Sequence, residues 1–154
     1  MPHAIISMLV AALSFFSIMA APVFSAGTSD GSSAAAPDTS AYDEAKAAVD
    51  SGNYGAALPM LAKLTQNDPQ NADAWNLLGF TSRMLGQLDD SSNAYLKVLA
   101  INPNHLGALE YQGELFITTG KLDLAKANLA KLKGLCGNCE QVDDLEKALK
   151  VAGA

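Results

Sequence analysis

From Ala41 to the end of the chain, apolar residues recur at spacings of three and four. That period marks helices with one buried face. The runs are cut at Gly52, Gly86 and Gly120 and again at Pro69 and Pro103. Glycine frees the backbone for a turn, and the residue before a proline disfavours the α region, so each cut ends a helix. Where the pattern is clearest, the spacing predicts a helix over 72–85, a turn at Gly86-Gln87 and a second helix over 88–101. No stretch shows the alternation of a half-buried strand, so the expectation is an all-α chain.

The pattern upstream differs. Segment 1–26 contains no Lys, Arg, Asp or Glu, and Ala4 to Val23 is apolar apart from three serines. Small residues near Val23-Phe24-Ser25-Ala26 complete the outline of a secretory signal peptide over 1–26, cut after Ser25 or Ala26. The apolar run of about 20 residues is also long enough to span a bilayer as a retained anchor. The segment before it carries only the amino terminus and His3 as cations. Both readings stay open, and both put the remainder outside the cytoplasm, periplasmic or secreted, with membrane contact only if the segment is retained. No cysteine lies near the segment, which excludes a lipid-modified anchor. Residues 27–40, GTSDGSSAAAPDTS, are small and polar and read as a flexible linker.

The helical part repeats itself at a constant spacing of 34: Gly52, Gly86 and Gly120; Ala57, Ser91 and Ala125; Tyr54, Leu88 and Leu122; Leu61, Tyr95 and Leu129; Ala45, Gly79 and Gly113; Pro69 and Pro103. A period held at that many positions is the sign of a repeat architecture. The copies span about 38–71, 72–105 and 106–139, within a repeat region of 41–138, and residues 139–154 follow as a cap helix and tail. In that last helix Val142, Leu145 and Leu149 share one face, while Glu140, Asp143, Asp144, Glu146, Lys147 and Lys150 take the other. Gly79 and Ser91 are expected where two helices cross, with Trp75, Leu78, Phe80, Tyr95 and Leu99 filling the space around them. Pro59 falls inside a helix, where it removes a hydrogen bond and should bend the backbone.

The middle copy reads W75-N-L-L78-G79-x-x-S82, then S91-x-x-x-Y95-x-x-V98, then P103. It resembles the tetratricopeptide repeat (TPR) pattern of Trp, Leu, Gly, Tyr, Ala, Phe, Ala and Pro at fixed places in a unit of the same length, with Ser82, Ser91, Tyr95 and Val98 as departures. The first copy lacks the Trp and Gly of its first helix, and the third lacks a closing Pro. The resemblance covers about residues 38–139 and implies a right-handed solenoid of about three helix-turn-helix repeats plus a C-terminal cap helix. Each two-helix unit cannot bury its apolar face alone and must stack. The resemblance also implies that the first helix of each repeat lines a groove for a peptide or partner helix. The matching positions are Tyr42 and Lys46, then Asn76, Phe80 and Arg83, then Glu110, Glu114 and Ile117. The Lys/Asn/Arg clamp with which some such proteins hold a C-terminal carboxylate falls on Tyr42, Lys46, Leu77, Gly107 and Tyr111, where only Lys46 is basic, so that activity is not implied.

Charge narrows the function further. Acidic residues number 16 against 10 Lys plus Arg, a formal net charge of -6, and Arg83 is the single arginine. Nucleic-acid binding needs clustered cations to neutralise phosphates, so it is excluded. The two cysteines form C136-G-N-C139. In an exported protein this reads as a disulfide closing the turn before the cap helix. A thiol-redox pair without its usual βαβ setting and a metal site without enough partner ligands remain as alternatives. Covalent haem needs a histidine where Glu140 stands. His105 sits at a helix start, and Asp89-Asp90 and Asp143-Asp144 stand where acids meet the positive end of a helix dipole. No catalytic triad, phosphate loop or metalloprotease motif occurs, so no catalytic residue, cofactor or metal is expected. The expected function is a non-catalytic periplasmic scaffold or adaptor that binds a protein or peptide of unknown identity. A thiol-redox or metal-handling envelope protein and a self-associating module are the other readings.

Overall fold

A computed structural model describes residues 39–154 and forms seven α-helices there, with no strand among the described residues. They are α1 (Thr39–Asp50), α2 (Tyr54–Asn67), α3 (Ala72–Met84), α4 (Leu88–Ile101), α5 (Leu106–Thr118), α6 (Leu122–Cys136) and α7 (Glu140–Val151). The expected signal segment and the linker as far as residue 38 lie outside the described residues. α1 takes up Thr39 and Ser40, which the sequence pattern gave to the linker. Among the described residues no helix is long and apolar enough to cross a membrane.

The period of the sequence is a period of backbone geometry. Gly52, Gly86 and Gly120 have φ of 74°, 75° and 72°, the left-handed region that glycine enters without cost to a Cβ. The next amides, of Asn53, Gln87 and Lys121, donate to the carbonyls of Ala48, Ser82 and Phe116 at 2.8, 2.8 and 2.7 Å. The glycine amides donate to Val49, Arg83 and Ile117 at 2.9, 2.9 and 3.0 Å. These paired bonds satisfy the last carbonyls of α1, α3 and α5. Asn53, Gln87 and Lys121 then serve as N-caps of α2, α4 and α6, so each pair turns over without a spare residue.

The junction between repeats is a second recurring device. Asp68 and Asn102, each before a proline, leave the helix at φ of −129° and −132°. Asn71 and His105 then cap the following helices: Asn71 Oδ1 accepts from the Ala74 amide at 3.0 Å, and His105 Nδ1 accepts from the Ala108 amide at 3.1 Å. The other ring nitrogen of His105 lies 3.0 Å from Asp73 Oδ1, tying α5 back to α3. The third copy closes differently. Gly137 takes φ 68°, and Cys136 and Cys139, with Cα atoms 5.8 Å apart, join as a disulfide across the turn into α7. Pro59, expected to remove a hydrogen bond and bend the helix, lies within a continuous α2; Pro59 and Gly55, whose carbonyl loses its partner, are both exposed.

Packing runs from neighbour to neighbour. The core falls into three clusters: Ala45, Val49, Ala57 and Leu61 on α1 and α2; Tyr95, Val98, Ala108 and Leu115 on α4 and α5; and Leu109, Ala125, Leu132, Val142, Leu145 and Leu149 on α5 to α7. Such segmentation follows from units that contact only adjacent units. Two close approaches need glycine. A Cβ on Gly79 would lie 2.6 Å from the buried Tyr95 ring, and one on Gly113 would lie 2.6 Å from Leu145. In the second repeat the partner helix α4 fills the glycine notch. In the third it is α7, which packs on α5 as well as on α6.

Candidate functional site

Asn76, Phe80 and Arg83 lie at i, i+4 and i+7 of α3, and Glu110, Glu114 and Ile117 repeat that spacing on α5. Helical geometry puts each set on one stripe. The structure joins the two stripes through the Arg83 guanidinium. It forms an ion pair with Glu114, lies 5.5 Å from the centre of the Phe80 ring and 6.0 Å from that of Tyr111. The Phe80 and Tyr111 rings are 4.9 Å apart and tilted by 46°, and Tyr54 meets Phe80 edge-on at 6.0 Å. The result is a partly buried aromatic plate with a cation stacked on it. The Arg83–Glu114 pair is held between two repeats, with side-chain exposures of 16% and 25%, so water screens it less than a surface pair.

Beneath this plate the α3–α4 contact is polar. The Nε of Arg83, the hydroxyls of Thr81, Ser91 and Tyr95, and Oδ1 of Asn76 are buried without a hydrogen-bond partner among the described residues. Arg83 and Ser91 lie beside the Tyr95 hydroxyl. Burial pushes that hydroxyl far above its usual range, against the opposing influence of Arg83. It therefore stays neutral.

Glu110 is the most perturbed acid of the face. It is 6% exposed, and no hydrogen bond or ion pair reaches it among the described residues. Burial, then the charges of Glu114, Asp144 and Glu140, push its carboxyl up to about 8, with Arg83 pulling the other way. Burial followed by Glu110 and Glu114 raises the Tyr111 phenol as well. Asn76 holds the place of Glu110 one repeat earlier and is 9% exposed. It faces the start of α5, where its Nδ2 sits 3.1 Å from the place a Cβ on Gly107 would occupy.

The remaining expected groove residues stand apart. Tyr42 is half-buried and raised by burial and then by Asp73, so it faces the start of α3. Lys46 turns along its own helix to Asp50 at 2.6 Å. Ile117 packs against the α5–α7 core cluster, because α7 lies over that part of α5. The gathered set is thus Phe80, Arg83, Glu114 and Glu110, with Asn76 alongside. Tyr111, read from the sequence only as a clamp position, joins it, and so does Tyr54, which was not expected there. The signal for Tyr111 was an aromatic residue where the second repeat carries Leu77.

The arrangement offers flat aromatic surface, one cation already paired, and carboxylates. Among the described residues no three His, Cys, Asp or Glu side chains come together as a metal site requires. These groups suit recognition by stacking and ion pairing.

Comparison with known proteins agrees with this description. The family model for the tetratricopeptide repeat matches residues 48–109. No curated protein sequence matches the chain. Solved structures with the same fold include the first TPR of Spaghetti (RPAP3) bound to the HSP90 peptide SRMEEVD, at 17% identity and a TM-score of 0.66, covering 75% of this chain and 93% of that one. The human RPAP3 domain is similar at 17% identity and a TM-score of 0.64, covering 75% and 94%. A third is the type III secretion chaperone SycD of Yersinia enterocolitica in complex with a peptide of the translocator YopD, at 19% identity and a TM-score of 0.65, covering 74% and 87%.

Proposed function

We propose that this chain, a tetratricopeptide-repeat protein, is a non-catalytic scaffold that works outside the cytoplasm and holds a partner protein through a peptide laid across the α3–α5 face. The observation that carries the reading is the cluster of Phe80, Tyr111, Arg83 and Glu114, which bridges two repeats and leaves aromatic surface partly open. Central aromatic and arginine side chains are the usual anchors of an interface. Two structures of the same fold hold peptides, from HSP90 and from YopD. The reading of the location is supported by the apolar segment 1–26, which contains no Lys, Arg, Asp or Glu and has the composition of an export signal.

The test is capture of partners by the purified chain from an envelope extract under mild crosslinking, against the Phe80→Ala plus Glu110→Lys variant. One protein held by the wild type and lost by the variant, with helical content unchanged, is the expected result. Equal retention by a correctly folded variant sinks the groove. Amino-terminal sequencing of the protein recovered from the envelope checks export: a start near Gly27 supports a cleaved signal, and recovery from the cytoplasm alone refutes the location.

A further inference from the structure

We propose that the α3–α5 face takes a cationic side chain, the lysine or arginine of a partner peptide, and that Glu110 is its seat. This rests on the groove reading above and adds the chemistry of the occupant.

Glu110 is a carboxylate nine-tenths buried with no hydrogen-bond or ion-pair partner among the described residues. A lone buried carboxylate is costly, and the cost is relieved by an opposite charge or by donors. The one cation nearby, Arg83, is already engaged by Glu114. Asp144 and Glu140 on α7 add negative charge from the other side. The Glu110 oxygens are not among the sealed polar atoms, so they can be reached from the surface. Asn76 Oδ1, at the equivalent place one repeat earlier, is sealed from the surface, so Glu110 alone is open to an incoming group. A buried carboxylate that only accepts calls for a group rich in N–H donors. Lysine brings three and arginine five, with no acceptor to clash. The plate of Phe80 and Tyr111 beside them suits the apolar stem of either side chain. The elevated carboxyl of Glu110 agrees with a buried acid that lacks an opposite charge beside it.

Other cations fit less well. Among the described residues the carboxylates are not gathered around a point as a metal ion requires. The chain's own segment 1–38 contains no lysine or arginine to fold back onto the site.

The probe is a pair of peptide pools, capped at both ends, of equal length and identical except at the central position. That position is Lys or Arg in one pool and Met or Gln in the other. Retention by the full chain is measured for the wild type and for Glu110→Gln, which keeps size and removes charge. The wild type should hold the cationic pool roughly ten- to a hundredfold more tightly, the range of a hydrogen bond to a charged group. Glu110→Gln should abolish that preference, bringing the two pools to the same retention. Equal retention of both pools by the wild type overturns the cation seat and leaves the groove standing. A preference that survives Glu110→Gln moves the seat elsewhere and overturns the assignment. Retention of neither pool removes the groove and the seat together. Sedimentation of the free chain closes the remaining route: a dimer that Glu110→Gln dissolves would make a second copy the occupant and overturn the partner peptide.

Discussion

Replacing Gly79 by alanine sets two effects of known sign against each other. The new methyl would stand 2.6 Å from Cε1 and 2.9 Å from Cδ1 of Tyr95, where ordinary contact begins at 3.4 Å. The ring or the helix must therefore yield by nearly an ångström. Tyr95 is fully buried, so it has no solvent to swing into. Turning it well off its rotamer costs about 0.5–1.5 kcal/mol, and overpacking of this kind costs about 1–3 kcal/mol in all. Against this, alanine is better than glycine inside a helix by about 1 kcal/mol. The net expectation is a loss of up to about 2 kcal/mol, or up to roughly 10 °C in Tm for a repeat region of this size. Thermal unfolding followed by circular dichroism reads it. Gly134 supplies the control. It lies in α6 with nothing within 4 Å of a built Cβ, so Gly134→Ala should raise stability by about 0.5–1 kcal/mol. A second change, Tyr95→Leu, should recover much of the Gly79→Ala loss by removing the ring. If Gly79→Ala stabilises the chain as Gly134→Ala does, the α3–α4 contact is not set by the glycine and the reasoning fails.

Further expectations follow from buried polar groups and from the disulfide. Tyr95→Phe deletes a hydroxyl that is buried without a partner, so it should be neutral or stabilising by up to about 1 kcal/mol; a clear drop in the urea midpoint would mean that the hydroxyl is well bonded in solution. Glu110 should make stability fall with pH: between its ordinary 4.5 and about 8 the folded chain keeps a proton that the unfolded chain has lost, so the penalty grows as pH rises through that window. Glu110→Gln should flatten this part of the curve by about 1–3 kcal/mol, less than the whole shift because the carboxylate keeps some contact with water, and an unchanged slope would refute the assignment. Cys136→Ser with Cys139→Ser opens a loop of only two intervening residues, so the loss should be about 2 kcal/mol or less, with peptide binding at α3 and α5 retained. A loss of binding in a folded double variant would show that the turn governs the face.

What the sequence made legible was whatever has a local physical cause. A glycine that must take positive φ, a residue before proline, and an asparagine or histidine able to cap a helix act within a few residues. The glycine recurs in all three repeats, the proline and the cap at the two junctions between them, and the structure repeats each at the same positions. The inward face of α7 was equally plain from Val142, Leu145 and Leu149. The site was less so, because its composition depends on which helix covers which. Nothing near Gly113 says that Leu145, two helices further on, fills its notch where Tyr95 fills that of Gly79. That choice draws α7 over α5, takes Ile117 into the core cluster and brings Asp144 and Glu140 within reach of Glu110. Lys46 was lost to the groove for a smaller reason: Asp50, one turn along, is a nearer partner than anything on α3.

The recurring junction also sets how such a chain can change in length. The seams after Asn71 and after His105 have the same geometry, an extended residue before proline followed by a capping side chain three positions later. A tandem duplication of residues 72–105 would therefore meet matching ends at both joins, with His105 capping the added helix as Asn71 caps α3. A block one residue longer or shorter would turn the next helix by about 100° and carry its apolar stripe away from its neighbour. Growth by insertion is thus stepwise, in whole blocks placed ahead of the last repeat, since α7 fits only the helix pair that ends the stack. Each added block would lengthen the recognition surface by one more first helix while leaving the closure at α7 untouched.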